Sequence, residues 1–154
     1  MTFYYFLTIV KYNEKFFLLT NLHNLTGKNF LTGKCLSSQA ATPNKIKAFL
    51  HEKDNPISTD PRELLILDQN GRPNWLEHPS LRVDIGAICL TNYTPSHNLH
   101  YELKTATPQE SYTPGCRLNI IGFPFGKSTA QYLAIWTTGY LASDIDINID
   151  NKPI

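Results

Sequence analysis

Turn-forming residues interrupt this sequence so regularly that only short secondary-structure elements fit between them. Its 154 residues include ten prolines and eight glycines, spread along the whole chain. Short apolar segments separated by such residues are typical of all-β proteins, in which every strand needs a turn. The sequence therefore predicts an all-β fold, in a chain long enough for one domain with a sizeable core.

The apolar segments that suit strands are Phe3–Val10, Phe16–Thr20, Glu63–Asp68, Val83–Leu90, Leu118–Ile121 and Ala134–Ala142. The break at Asn13-Glu14 predicts a hairpin between the first two, and Asn70-Gly71 favours a tight turn because both residues tolerate positive φ. The segment after Thr42-Pro43 fits two structures. Its apolar residues share a helix face at i, i+3 and i+4, and they also alternate as in a strand.

Charge and cysteine content exclude several classes of protein. Fourteen basic residues face thirteen acidic ones without forming a basic cluster, so we expect no nucleic-acid partner. The apolar segment Met1–Val10 is too short to cross a bilayer and has no signal-peptide features, so we expect no membrane partner and a cytoplasmic location. Cys35, Cys89 and Cys116 include no close pair, which predicts free, buried thiols in a reducing compartment.

Two polar residues, His23 and Asp84, are candidates for a functional site. His23 follows the end of the strand at Thr20, a position that suits a general base but also a histidine that is merely hydrogen-bonded. Asp84 lies near the start of an otherwise apolar segment, where an unpaired charge is costly. The Nδ1–H group of a histidine is one possible partner, and capping of a local turn is the alternative.

Taken in order, these segments resemble the trypsin-like peptidase family. Thr20-Asn21-Leu22-His23 is similar to the family's Thr-Asn/Ala-x-His segment, and Val83–Ile88 is similar to its segment of Asp, an aliphatic residue, a small residue and an apolar run. Gly115–Gly126, which ends in a Gly-x-Pro-x-Gly turn, resembles the first strand of the second barrel. Trp136–Ser143 resembles the strand that follows it.

The resemblance implies a chymotrypsin-like double β-barrel with a catalytic cleft between the barrels. Residues 1–105 would form a nearly complete first barrel and residues 106–154 the beginning of a second, incomplete one, with a boundary inside the polar segment 92–114. His23 would act as general base and Asp84 as its orienting carboxylate, on a peptide or protein substrate and without a metal or cofactor.

The nucleophile of the family is absent from the sequence. It lies in a Gly-x-Ser-Gly turn, and none of the chain's serines has that context. The sequence stops at Lys152-Pro153-Ile154, where the family would begin the strand leading to its serine. The resemblance therefore implies a serine endopeptidase fragment that is inactive as given. The alternative is a non-catalytic, protease-like binding module.

A P-loop is a third and weaker interpretation. Gly122–Ser128 contains Gly-Lys-Ser but has one residue fewer between its glycines than the motif needs, and Pro124 removes an N–H group that would hold phosphate. A helix across Thr129–Tyr140 would favour nucleotide binding, and a strand there would exclude it.

No metal site is expected either. Asp144–Asp150 has calcium-loop spacing at its first oxygens, but Ile149 occupies the position that requires glycine. His97 and His100 share a loop without an evident third ligand, so we expect two solvated histidines.

Overall fold

The computed structural model describes residues 7–79, 83–103, 113–124, 127–129 and 133–143, and most of their regular structure is strand. The described structure is mostly β, which is consistent with the all-β class predicted from the sequence. The elements are β1 (Leu7–Tyr12), β2 (Lys15–Thr20), α1 (Leu22–Thr26), β3 (Lys45–His51), β4 (Thr59–Leu65), β5 (Leu76–Glu77), β6 (Gly86–Cys89), β7 (Tyr101–Glu102), β8 (Arg117–Gly122) and β9 (Ile135–Tyr140).

The predicted first hairpin is present as β1 and β2. Leu7 pairs with Thr20 at one end and Tyr12 with Lys15 at the other. The two-residue turn between the strands has φ of 47° at Asn13 and 59° at Glu14, the left-handed pair that suits the twist of a hairpin. The predicted strand residues 3–6 lie outside the described residues.

This hairpin lies inside a five-stranded sheet with the order β5-β6-β2-β1-β7. Its neighbours pair antiparallel, apart from β7, which runs parallel to β1. The predicted strand Val83–Leu90 is shorter than expected, because β6 begins at Gly86 and Asp84 lies in the irregular segment before it. Gly86 pairs with Thr20, so the start of β6 lies beside the end of β2.

Two further hairpins complete the described sheets. β3 pairs with β4, which shows that the segment after Pro43 is a strand and not a helix, with Ile46, Ala48 and Leu50 buried on one face. β8 pairs with β9, and the strand β9 occupies the place where a P-loop would need a helix, so the nucleotide-binding interpretation is not supported. Over the described residues these sheets do not close into a barrel.

The turn predicted at Asn70-Gly71 is formed, but the hairpin around it is minimal. The Gly71 amide donates to the Asp68 carbonyl at 3.0 Å, and Gly71 has a φ of 74°. Beyond the turn, Leu67 and Pro73 form a single isolated bridge. The strand before the turn, β4, pairs with β3 along its whole length and not with the chain after the turn.

The hydrophobic core contains side chains of the five-stranded sheet, of α1, of β3 and of Ile66, which follows β4. Its buried members are Ile9, Leu18, Leu25, Ile46, Ala48, Leu50, Ile66 and Ile88. All of them precede the predicted domain boundary at residue 105, which itself lies outside the described residues. Because Leu25 of α1 is one of these members, the core packs against the element that also carries His23.

The burial of the cysteines and of one histidine differs from the expectations. The cysteines form no disulfide, but Cys35 and Cys89 are exposed and Cys116 is only half-buried, so the prediction of buried thiols is wrong. His97 is exposed as expected, whereas His100 is half-buried, with its ring edge-on to Phe16 at 5.0 Å.

Two remaining sequence expectations concern a calcium loop and the membrane. The segment 144–150 lies outside the described residues. Among the residues that are described, no helix is long and apolar enough to span a membrane.

Candidate active site

His23 is carried by α1, a single helical turn between β2 and an irregular loop. Five residues are too few for a helix that is stable by itself, so tertiary contacts must hold it. Leu25 inserts into the core with 1% of its surface exposed, and the Asn24 amide donates to Thr20 Oγ1 at 3.1 Å. Gly27 ends the helix with a left-handed φ of 67° and returns its N–H to the His23 carbonyl.

The sheet register brings the two predicted site residues together. Because β2 and β6 are antiparallel and Thr20 pairs with Gly86, the chain leaving β2 and the chain entering β6 meet at one edge of the sheet. His23 comes three residues after Thr20 and Asp84 two before Gly86. Residues 61 positions apart in the sequence are therefore neighbours at this edge.

His23 and Asp84 make two hydrogen bonds with each other. The imidazole Nδ1 lies 2.6 Å from Asp84 Oδ2, and the backbone N–H of His23 donates to Asp84 Oδ1 at 2.9 Å. An ionised carboxylate can only accept, so this contact places the proton of a neutral imidazole on Nδ1. Nε2 then carries the free lone pair, which is the arrangement that a general base needs.

The pair is accessible on one side and shielded on the other. The His23 side chain is 37% exposed, whereas the Asp84 side chain is 16% exposed. A half-buried carboxylate needs donors, and here the backbone and side chain of His23 both supply them. The arrangement can accept a proton from a group that approaches the exposed imidazole, while Asp84 keeps the ring in one orientation.

Sequence reasoning missed two residues of this site. The Asn21 amide donates to both the carbonyl oxygen of Asp84 at 3.3 Å and its Oδ2 at 3.2 Å. Gly86 faces Leu25 so closely that a Cβ atom there would lie 2.5 Å from Leu25 Cδ1. No helix was predicted after Thr20, and the partner of Asn21 lies 63 residues away, so the residues around Asn21 carry no signal for this contact.

The segments that resemble the second barrel form one hairpin. In β8–β9, Ile121 pairs with Trp136 and Arg117 with Tyr140. Residues 125 and 126, which complete the Gly-x-Pro-x-Gly turn, lie outside the described residues. The hairpin carries exposed apolar side chains, with Trp136 64% exposed.

Comparisons with known proteins add no family assignment. No family model matches the chain, and neither a curated protein nor a solved structure matches it. A functional assignment for this chain therefore rests on the geometry around His23 and Asp84.

Proposed function

We propose that this chain supplies the base and the orienting carboxylate of a chymotrypsin-like serine endopeptidase. The observation that carries the proposal is the two-point contact between His23 and Asp84, with Nδ1 at 2.6 Å from the carboxylate and the imidazole partly exposed. The order of the motifs along the chain and their meeting at one sheet edge support the same proposal.

In the proposed reaction, His23 Nε2 removes the proton from a serine hydroxyl while the serine oxygen attacks the carbonyl carbon of a peptide bond. The imidazolium then gives this proton to the departing amine, and an acyl-enzyme remains. Water releases the acyl group in a second cycle of the same proton transfers. Asp84 stays ionised throughout, fixes the tautomer and stabilises the imidazolium.

The proposal assigns the sheets to two barrels. The five-stranded sheet and β3–β4 belong to the first, and β8–β9 belongs to the second. No Gly-x-Ser-Gly turn occurs in these 154 residues, so the proposal requires a nucleophile and an oxyanion hole that these residues do not supply. A binding module of the same fold would need neither, and the absence of that turn is the observation that favours this second candidate.

The test compares the 154-residue chain with the product of the whole reading frame that encodes it. We expect the longer product to hydrolyse peptides and to react with a fluorophosphonate probe, and the 154-residue chain to do neither. In the longer product, Asp84→Asn should lower kcat by about 10⁴-fold, because the imidazole then takes the wrong tautomer. His23→Ala should abolish both activities.

His97→Ala is the matched control, since this histidine is exposed and lies 3.6 Å from Glu52 and not beside Asp84 or His23. The variant should keep full activity. A reading frame that ends at Ile154, or an active product that is insensitive to His23→Ala, would overturn the catalytic proposal. Peptide binding without hydrolysis would then assign the chain as a binding module.

A further inference from the structure

The asparagine before α1 is at the N-cap position, but its side chain does not cap the helix. Asn21 is the N-cap residue, with extended backbone angles of −66° and 139°, yet its side chain makes no capping hydrogen bond. A capping asparagine normally accepts a hydrogen bond from an amide of the first turn, worth about 1 kcal/mol. The Asn21 side chain is directed to another partner.

That partner is Asp84, which caps the helix in its place. The Asp84 carboxylate accepts the backbone N–H of His23, an amide of the first helical turn that a local cap would have accepted. The Asn21 amide donates in return to the carbonyl and to Oδ2 of Asp84. Asp84 therefore caps the helix, and Asn21, 63 residues away in the sequence, donates hydrogen bonds to Asp84.

The exchange fixes the orientation of the carboxylate. Oδ1 is held by the His23 amide, and Oδ2 is shared between the Asn21 amide and the imidazole Nδ1. Rotation of the carboxylate away from the imidazole would break hydrogen bonds at both oxygens. Asn21 also donates to the backbone carbonyl of Asp84, so it holds the main chain of this residue as well as its side chain. We infer that Asn21 is a positioning residue, which holds Asp84 so that His23 keeps its proton on Nδ1.

This inference rests on the proposed function for its catalytic consequence, but its structural content is measurable in the 154-residue chain. The tautomer of neutral His23 can be read from the ¹⁵N shifts of its two ring nitrogens. We expect the unsubstituted chain to show the Nδ1–H form. Asn21→Ala should shift His23 to a mixture of tautomers, because it removes the two hydrogen bonds that Asn21 donates to Asp84 and so weakens the hold on the carboxylate.

Asn21→Ser separates positioning from simple helix stabilisation. Serine is as good an N-cap as asparagine, so it preserves the helix, but its shorter side chain ends before the place where Nδ2 meets Asp84. We expect near-normal thermal stability together with the mixed tautomer. In the product of the whole reading frame, this variant should lower kcat by up to about 10²-fold with little change in KM.

Asn24→Ser is the matched control on the same helix. It removes a buried amide that donates to Thr20 and not to Asp84, so it should lower the melting temperature and leave the tautomer unchanged. A His23 tautomer that stays Nδ1–H in both Asn21 variants would overturn the inference while leaving the proposed function intact. An Nδ1–H tautomer that depends on Asn21, in a protein with no peptidase activity, would support the inference and refute the function.

Discussion

Replacing Gly86 by alanine tests how α1, the helix that carries His23, packs against the sheet. The new Cβ atom would lie 2.5 Å from Leu25 Cδ1, whereas non-bonded carbons are comfortable at about 3.5–4.0 Å. Leu25 has no exposed space into which it can swing, since it is 1% exposed and lies within the core. The substitution must therefore push α1, and His23 with it, away from the edge of the sheet.

The expected decrease in the free energy of unfolding is the cost of overpacking the core minus an entropic gain in the unfolded chain. Extra carbon atoms in a packed core cost about 1–3 kcal/mol, and Gly→Ala at an ordinary φ returns about 0.4–1 kcal/mol by restricting the unfolded chain. We therefore expect a loss of about 1–2 kcal/mol in the free energy of unfolding. For a chain of this size that lowers the melting temperature by about 2–8 °C.

Urea denaturation followed by circular dichroism measures this loss. Gly139→Ala is the control, because its Cβ would meet the nearest atom, Ile120 Cδ1, at 3.4 Å and that side chain is 59% exposed. It should change stability by less than about 0.5 kcal/mol. Adding Leu25→Val to Gly86→Ala removes the clashing atom, so the two substitutions should couple favourably by about 0.5–3 kcal/mol.

Equal stability of the Gly86→Ala and Gly139→Ala proteins would refute the reasoning. It would mean that Leu25 does not contact the start of β6, and that the sheet does not position α1 in this way. Strictly additive effects in the double variant would lead to the same conclusion.

Two further predictions concern ionisable groups outside the site. Burial raises the pKa of Tyr93 to about 12 from 10.0, so the unfolded chain loses the phenol proton first and stability should fall as pH rises between these values. Denaturation midpoints across that range should fall less steeply for Tyr93→Phe, and parallel decreases would contradict the prediction. Hydrogen bonds from the side chain and backbone of Thr113 lower the pKa of the Cys116 thiol, so Thr113→Val should slow its alkylation by iodoacetamide at neutral pH. An unchanged rate, followed by mass spectrometry of the Cys116 peptide, would show that the Thr113 hydroxyl does not stabilise the thiolate.

Local sequence patterns correctly predicted the elements whose conformation depends only on nearby residues. Asn13-Glu14 was readable as a turn, and the apolar segments around it as strands, because period and turn chemistry act over a few residues. The segment after Pro43 fitted a helix and a strand equally well. Its pairing with β4, a contact between distant residues, decided that it is a strand.

The predictions of burial for the cysteines and of exposure for His100 failed because burial depends on which elements pack over a residue. Whether Cys35 and Cys89 are buried depends on which elements cover them, and their own apolar character does not determine this. His100 was expected in solvent, but its ring lies beside Tyr93, seven residues earlier in the same loop, and beside Phe16 on β2. Neither contact leaves a signal in the residues around the histidine.

By itself, the sequence determined that the protein is mostly β and singled out His23 and Asp84, because a carboxylate in an apolar segment needs a partner. The tertiary structure decided that these two residues meet, since only the antiparallel register of β2 and β6 brings the end of one strand to the start of the other. It also decided which residues Asn21 and Gly86 lie against. Each of these acts on a residue about sixty positions away, and such contacts depend on how the chain packs and not on its local pattern.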